Sequence, residues 1–459
     1  MHILPPAIEI GENEGFDPQK DIFGRKAFGE DLKRLFENVE DPLVAILDAP
    51  WGSGKTVFSK MWCGMMRNEG FPVIYFDAFA NDYMDDAFLC LASEIIEVSN
   101  KDKAFTKSAK QKFVECSRKV GKALLKTGVK AGIKALTLNL IDKDDLEALK
   151  SAASDLTKEA EAELEKYIDR KFDEYGKEKH FFASFRDALE KLIEEREEAK
   201  PTPQTADDVL DAIPPNRPLI IVIDELDRCR PPFALELLEK IKHFFSVSGV
   251  HFLLVTHIEQ LESVVEHAYG IKNNSSIYLH KFYNVLIEFP KTESVKSVST
   301  EKIYIGYIFN YLFGMDNSSE RCRSAYDAMI NLSEANKYSL RLIERVVTDI
   351  ALVFAVVPSK YIIVSEIVVC LCVIRRLDRR LYGKIKSGDE CLQDIISFFR
   401  FEKEDNDHSY SMKNWWRVCL EKEGKEWMKD YMRWLHFLDR EKIIPISVKY
   451  LERVSIPEG

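Results

Sequence analysis

Lys55, Thr56, Asp224 and Glu225 are the residues whose types and spacing could do chemistry in this chain. The first two close the stretch Asp48-Ala-Pro-Trp-Gly-Ser-Gly-Lys-Thr56. An apolar run, Leu43 to Leu47, precedes it, and a helical pattern, Val57 to Met66, follows. A strand, a glycine turn ending Gly-Lys-Thr and a helix are the setting of a phosphate-binding loop. Gly52 and Gly54 let the backbone curl so that successive N–H groups face phosphate oxygens. The helix N-terminus adds the positive end of its dipole. Pro50, Trp51, Gly52, Ser53, Gly54, Lys55, Thr56 and Val57 are therefore the candidate nucleotide-binding residues. Lys55 would reach the β- and γ-phosphates, and the Thr56 hydroxyl would hold Mg²⁺. Ala49 stands where the pattern G-x-x-x-x-G-K-[ST] begins with Gly, which costs φ freedom but removes no phosphate ligand.

A second segment supplies acids. Pro218 to Arg228 is an apolar run ending Asp-Glu-Leu-Asp-Arg, and its five consecutive apolar residues suit a strand buried on both faces of a parallel sheet. Asp224 would emerge at the C-terminal end of that strand, where ligands bind in open α/β sheets, and serve the Mg²⁺ shell. Glu225 would polarise a water for attack on the γ-phosphate. Solvated loop charge is the alternative for such an acid pair.

These groups need a scaffold, and the chain is long enough for one. Its 459 residues allow two or three domains with a sizeable core. An amphipathic helix is expected over Lys26–Val39, strands at Leu43–Leu47, Pro72–Asp77, Pro218–Asp224 and Val250–Thr256, and helices over Asp85–Val98 and Pro232–Phe245. Residues 100–200 contain almost no turn residues and read as a helical excursion outside the sheet. A linker with a short helix near Ala206–Ala212 would return the chain to the core. Residues 291–459 read as mainly helical, with two buried helices between Ile350 and Ile374. Domain boundaries follow: 1–100 and 201–290 as a split core, 101–200 as the insert, and 291–459 as a C-terminal helical domain with a sensor-2-like helix.

The motifs in this order resemble the KAP family of P-loop NTPases, in the STAND/AAA-like branch. Asp21-Ile-Phe-Gly-Arg25 looks like its N-terminal D-x-x-G-R element, and Trp51-Gly-Ser-Gly-Lys-Thr56 is similar to its Trp-containing Walker A loop. Tyr75-Phe-Asp-Ala-Phe79 resembles the FNAW strand, and Asp224-Glu-Leu-Asp-Arg-Cys229 resembles Walker B. Tyr278-Leu-His-Lys281 with Phe289-Pro290, and Ser339-Leu-Arg-Leu-Ile-Glu-Arg345, are similar to two further family elements. The resemblance implies an α/β fold: a P-loop NTPase three-layer parallel sheet core with an inserted helical segment and a C-terminal mainly helical domain. It also implies an ATPase using ATP and Mg²⁺, with Ile22 and Gly24 beside the adenine and Arg341 as a sensor arginine near the γ-phosphate. Slow, nucleotide-driven switches in larger assemblies, some in anti-phage defence, are the function class implied. A nucleotide-stabilised scaffold or membrane-peripheral adaptor is the alternative, with a nucleic-acid-stimulated ATPase as a weaker one. The chain departs from the family at Ala49, at Leu340 in place of a Pro, and at Thr256-His257 in place of a sensor aspartate.

Charge and composition narrow the partners. A net charge of −11 with 31% charged residues describes an acidic, soluble-looking chain with no global attraction to nucleic acid. The nine cysteines are scattered and read as reduced thiols in a cytoplasmic protein. No apolar stretch is long and uninterrupted enough to span a bilayer, and the N-terminus carries no signal-peptide pattern. Residues 101–142 hold 11 Lys/Arg against 3 Asp/Glu, and Lys119, Lys122, Lys126, Lys130 and Lys134 step along one helical stripe. Three readings stand: a basic helix against an acidic one, a peripheral membrane contact through 119–134, and a nucleic-acid contact, the last not favoured for want of aromatics. A homo-oligomer or a complex with a partner protein is expected, with arginines 228, 321, 323, 341 and 345 as candidates to complete a site in trans. Arg228 could also brace Asp227, the four arginines 375, 376, 379 and 380 read as a solvated face or a docking site, and the tryptophans 415, 416, 427 and 434 as bundle core.

Overall fold

The computed structural model describes residues 8–84, 86–102, 104–127, 180–196, 217–270, 274–290, 298–313, 319–358, 361, 363–401, 407–421 and 440–453. Five strands form one parallel sheet: β1 (Val44–Asp48), β2 (Val73–Asp77), β3 (Leu219–Asp224), β4 (Val250–Thr256) and β5 (Val285–Glu288), in the order β2-β3-β4-β1-β5. The expected three-layer α/β architecture is what forms. The four anticipated strands lie within a residue or so of their expected bounds. β5 is an addition: four residues of alternating half-burial at the sheet edge are too short to stand out in a sequence.

Side chains alternate across the pleat and divide the core in two. Ile46, Ile74, Ile221, Ile223 and Leu254 enter one cluster with the helices Ala87–Lys101, Pro231–Lys240 and Ile258–Tyr269. Ala45, Leu47, Val222, Leu253 and Val255 enter the other with the helices Lys26–Asn38 and Lys55–Asn68. A third cluster, from Ile305 to Leu451, fills the C-terminal helices. It contains Trp416 and the two helices expected in the apolar window, Leu340–Val356 and Ser365–Leu377, with Trp415 packed against it. Trp427 and Trp434 lie outside the described residues.

The excursion between β2 and β3 does return to an adjacent strand, because those two pair in register from Val73↔Ile220 to Asp77↔Asp224. Its described arms do not stay clear of the core, however. Residues of the helix Lys107–Thr127 and of a helix over 180–194 pack onto one face of the sheet. Phe113 and Phe185 lie 5.3 Å apart, and Phe185 is 5.4 Å from Phe245. Aromatic spacing on those arms is a core stripe, so the excursion is rooted in the core rather than appended to it. The arms meet at a bridge between Phe105 and Arg196, where Arg196 also pairs with Asp102 at 2.9 Å. Of the lysine stripe, Lys119 is exposed and paired with Glu115 at 2.7 Å. The side chains of Lys122 and Lys126, and all of Lys130 and Lys134, lie outside the described residues, as does the helix expected near Ala206–Ala212.

Among the described residues no helix is long and apolar enough to cross a membrane. The arginine cluster after the buried helix is no solvated face at its start. Arg376 makes two bonds of 2.8 Å to Asp349, whose side chain is 0% exposed, and Arg375 donates to the Leu451 carbonyl.

Candidate functional site

A cavity of about 320 Å³ opens at the C-terminal edge of the sheet. This is where an open parallel sheet presents ligand sites. Its walls come from three places: the segment before the helix Lys26–Asn38, the loop after β1 with the turn after β3, and the C-terminal helices Thr300–Phe313 and Leu340–Val356.

The loop has the conformation its glycines allow. Gly52 and Gly54 sit at φ +77° and +86°, in the left-handed region that other residues rarely enter. A Cβ on Gly52 would stand 3.1 Å from the Arg341 Cβ, so this glycine also lets the C-terminal domain touch the loop. Ala49 has no positive φ, so the alanine in place of the first motif glycine costs nothing here. Gly54 caps the helix Lys55–Asn68 without any side-chain hydrogen bond to its first N–H groups. Those N–H donors are thereby left for an anion. Trp51, Gly52, Ser53, Gly54, Lys55, Thr56 and Val57 line the cavity; Pro50 is exposed beside it, before the turn, and has no N–H to offer.

Lys55 is buried, with its ammonium bonded to the Ala49 carbonyl. Burial lowers its proton affinity, while Asp227, Asp48 and Asp224 oppose that. Asp224 is 1% exposed. Burial raises its pKa, partly offset by hydrogen bonds from the Tyr75 hydroxyl, at 2.8 Å, and from Thr56. The structure thus brings together the two residues expected to serve Mg²⁺. A hydroxyl and a carboxylate are hard oxygen donors that suit this ion, which takes one or two protein ligands beside substrate phosphates. Among the described residues no group of three or more His, Cys, Asp or Glu could hold a metal ion alone.

Glu225 follows at φ +58°, strained for a residue with a Cβ and typical of functional turns. Its pKa is raised by burial, against the pull of Arg228, which pairs with it at 2.7 Å. The bracing role anticipated for Arg228 is therefore directed at Glu225 and not at Asp227. The 3₁₀ turn Leu226–Arg228 explains this, since side chains three apart eclipse in that geometry. Asp227 instead accepts from the Trp51 indole and, at 3.1 Å, from the Thr256 hydroxyl. Thr256 thus occupies the departure from the family's sensor aspartate, and His257 packs edge-on against Trp51.

At the other end of the cavity, Asp21 accepts from the backbone N–H groups of Arg25 and Lys26 and so starts the helix Lys26–Asn38. Ile22 lines the cavity; Gly24 does not, and serves the turn with φ +63°. Arg25, the last residue of the Asp21–Arg25 motif, contacts the loop directly. Its guanidinium lies between the rings of Phe23 and Phe289, at 4.5 and 4.1 Å, and donates to the Ser53 carbonyl at 3.0 Å. Burial lowers its pKa to about 10. Tyr75, named in the sequence only as the start of a strand motif, also gains a role here: pairing of β2 with β3 brings it to Asp224, a cross-strand relation no linear pattern contains.

Of the remaining arginines, Arg341 lines the cavity, while Arg321, Arg323 and Arg345 do not; Arg321 lies over the Phe354 ring at 5.6 Å. A model of the KAP family P-loop domain matches residues 25–357, from Arg25 through the loop and the acid strand to the end of the helix bearing Arg341. No curated protein matches the chain.

Proposed function

The chain belongs to the KAP family of P-loop NTPases, and from that premise we propose that it binds ATP with Mg²⁺ and hydrolyses it slowly, as a nucleotide-driven switch. The observation that carries the proposal is the meeting of Lys55, Thr56, Asp224 and Glu225 in one cavity at the sheet's ligand edge. The uncapped helix N-terminus and Lys55 would hold the phosphates, and Thr56 with Asp224 would hold Mg²⁺. When bound, the ion neutralises charge on the phosphate oxygens. Glu225 would take the proton of the attacking water as the bond from the γ-phosphorus to the bridging oxygen breaks, leaving ADP and phosphate. Its raised pKa makes it a better base than an ordinary glutamate.

Support for a switch comes from Arg341, which approaches Gly52 from the C-terminal helices, so that the loop and those helices share one contact. Work in a larger assembly, as a homo-oligomer or with a partner protein, and a place in antiviral defence are proposed from the family resemblance. Light scattering with and without ATP tests the assembly; a monomer in both states removes it. Sedimentation on anionic vesicles tests peripheral membrane contact through 119–134, and no binding at low salt removes it.

A scaffold reading is favoured by one observation: Glu225 and Lys55 are both engaged by the chain itself, by Arg228 and the Ala49 carbonyl. Phosphate release by the wild type against Glu225→Gln separates the two. Steady release that the substitution abolishes is expected; equal release by both would remove Glu225 as the base, and none in either would leave the scaffold.

A further inference from the structure

We infer that Arg228 is a catalytic cation acting within its own chain by exchanging partners: it holds Glu225 before a nucleoside triphosphate binds, passes to the γ-phosphate when one does, and so frees Glu225 for water. This rests on the P-loop reading above. The pair is built in by the local backbone. Glu225 caps the 3₁₀ turn Leu226–Arg228, and the turn returns position 228 over position 225. A single contact of 2.7 Å joins Nη1 to Oε1, with the two side chains 32% and 19% exposed. Both line the same cavity as Lys55. A γ-phosphate beside Lys55 would therefore lie in the field of Arg228.

The exchange runs downhill. A partly exposed, single-contact ion pair is among the weaker interactions of its kind. A terminal phosphate offers several charged oxygens in the geometry that a guanidinium fork matches two at a time. Other cations at the cavity are placed differently: Arg25 is committed to two rings and the Ser53 carbonyl, and Arg341 abuts Gly52. Arg228 is the one that, among the described residues, pairs with the expected base. While paired, Glu225 Oε1 faces the Arg228 guanidinium at 2.7 Å instead of a water. Loss of the partner to phosphate would free that oxygen for a water only when the triphosphate is present. Hydrolysis is thereby tied to the correct ligand.

Calorimetry on the full chain with Mg²⁺ and either β,γ-imido-ATP or ADP tests this, across wild type, Arg228→Ala, Glu225→Gln and the double variant. Arg228→Ala should weaken imido-ATP about tenfold and ADP less than about twofold, since ADP lacks the γ-phosphate. Glu225→Gln should tighten imido-ATP by roughly two- to fivefold, the strength of the pair it dissolves. In the Arg228→Ala background that tightening should vanish. Turnover of Arg228→Ala should fall by about 10²-fold or more. Equal weakening of both nucleotides, or tightening by Glu225→Gln that survives without Arg228, would overturn the exchange. ADP binding without any arginine-dependent triphosphate preference sinks this inference alone; a wild type that binds neither nucleotide sinks the P-loop reading as well. Arg228→Met keeps the stem and serves for the same comparison if the alanine variant does not fold.

Discussion

The C-terminal bundle and the cavity at the sheet edge both bury charge, and they treat it in opposite ways. In the bundle, Asp349 is wholly buried and meets Arg376 through two parallel bonds of 2.8 Å, which raises the proton affinity of the arginine. The two helices that carry the pair bury Val346, Ile350, Val369 and Cys372 in one apolar cluster. At the cavity, Asp224 and Glu225 have their pKa values raised and Lys55 has its lowered, each mainly by burial. Their partners are hydroxyls, a carbonyl and one partly exposed arginine, and Glu225 sits on strained backbone. Satisfied charge holds a packed region in register, whereas charge left wanting a partner marks where a ligand is to supply one.

The contrast is broken most readily from the bundle side. Asp349→Ala leaves Arg376 buried without its carboxylate and should cost about 3–5 kcal/mol, read from the urea transition of the bundle. A loss well below 1 kcal/mol would mean that the pair is relaxed by water and the comparison fails. Next comes Glu225→Gln, which should lower turnover by roughly 10²-fold, about 2.7 kcal/mol, with the folding transition unmoved. A parallel drop in stability would make Glu225 structural, like Asp349. Lys55→Ala should weaken Mg·ATP binding at least about tenfold, about 1.4 kcal/mol, in calorimetry; unchanged affinity in a folded variant refutes the loop assignment.

The smallest effect sharpens the comparison through its sign. The Asp224 carboxyl has a folded-state pKa raised above its unfolded value. Between those two values the folded chain binds the additional proton, so stability rises as pH falls through that window and is lowest above it. At about pH 8, Asp224→Asn should therefore raise the melting temperature of the nucleotide-free protein, by the equivalent of roughly 1 kcal/mol, while Mg²⁺-dependent binding falls. That advantage should shrink on acidification. If the asparagine variant melts lower at high pH and gains nothing on acidification, the carboxylate is stabilising and the distinction between the two regions is lost.

Much of this was written along the chain. Strand–glycine turn–helix order, the apolar run ending in Asp224 and Glu225, and the amphipathic helix before β1 depend on neighbouring residues, so their elements are legible in linear order. Contacts between distant segments are not. Which acid Arg228 braces was settled by a single 3₁₀ turn, and the partner of Asp224 by pairing with Tyr75 on a strand 149 residues away in sequence. That the excursion lies outside the sheet was legible, but helical periodicity states that a face is apolar and not what covers it; Phe113 and Phe185 pack on the sheet's flank. Likewise the arginines at 375 and 376 read as surface charge until Asp349, buried one helix away, met Arg376 and the Leu451 carbonyl met Arg375. Local patterning by itself determined the phosphate loop, its acids and four of the five strands, and the family resemblance carried by those motifs implied the three-layer core. Only tertiary packing decided which charges are paired, because pairing depends on distances across strands and helices that a one-dimensional order leaves open.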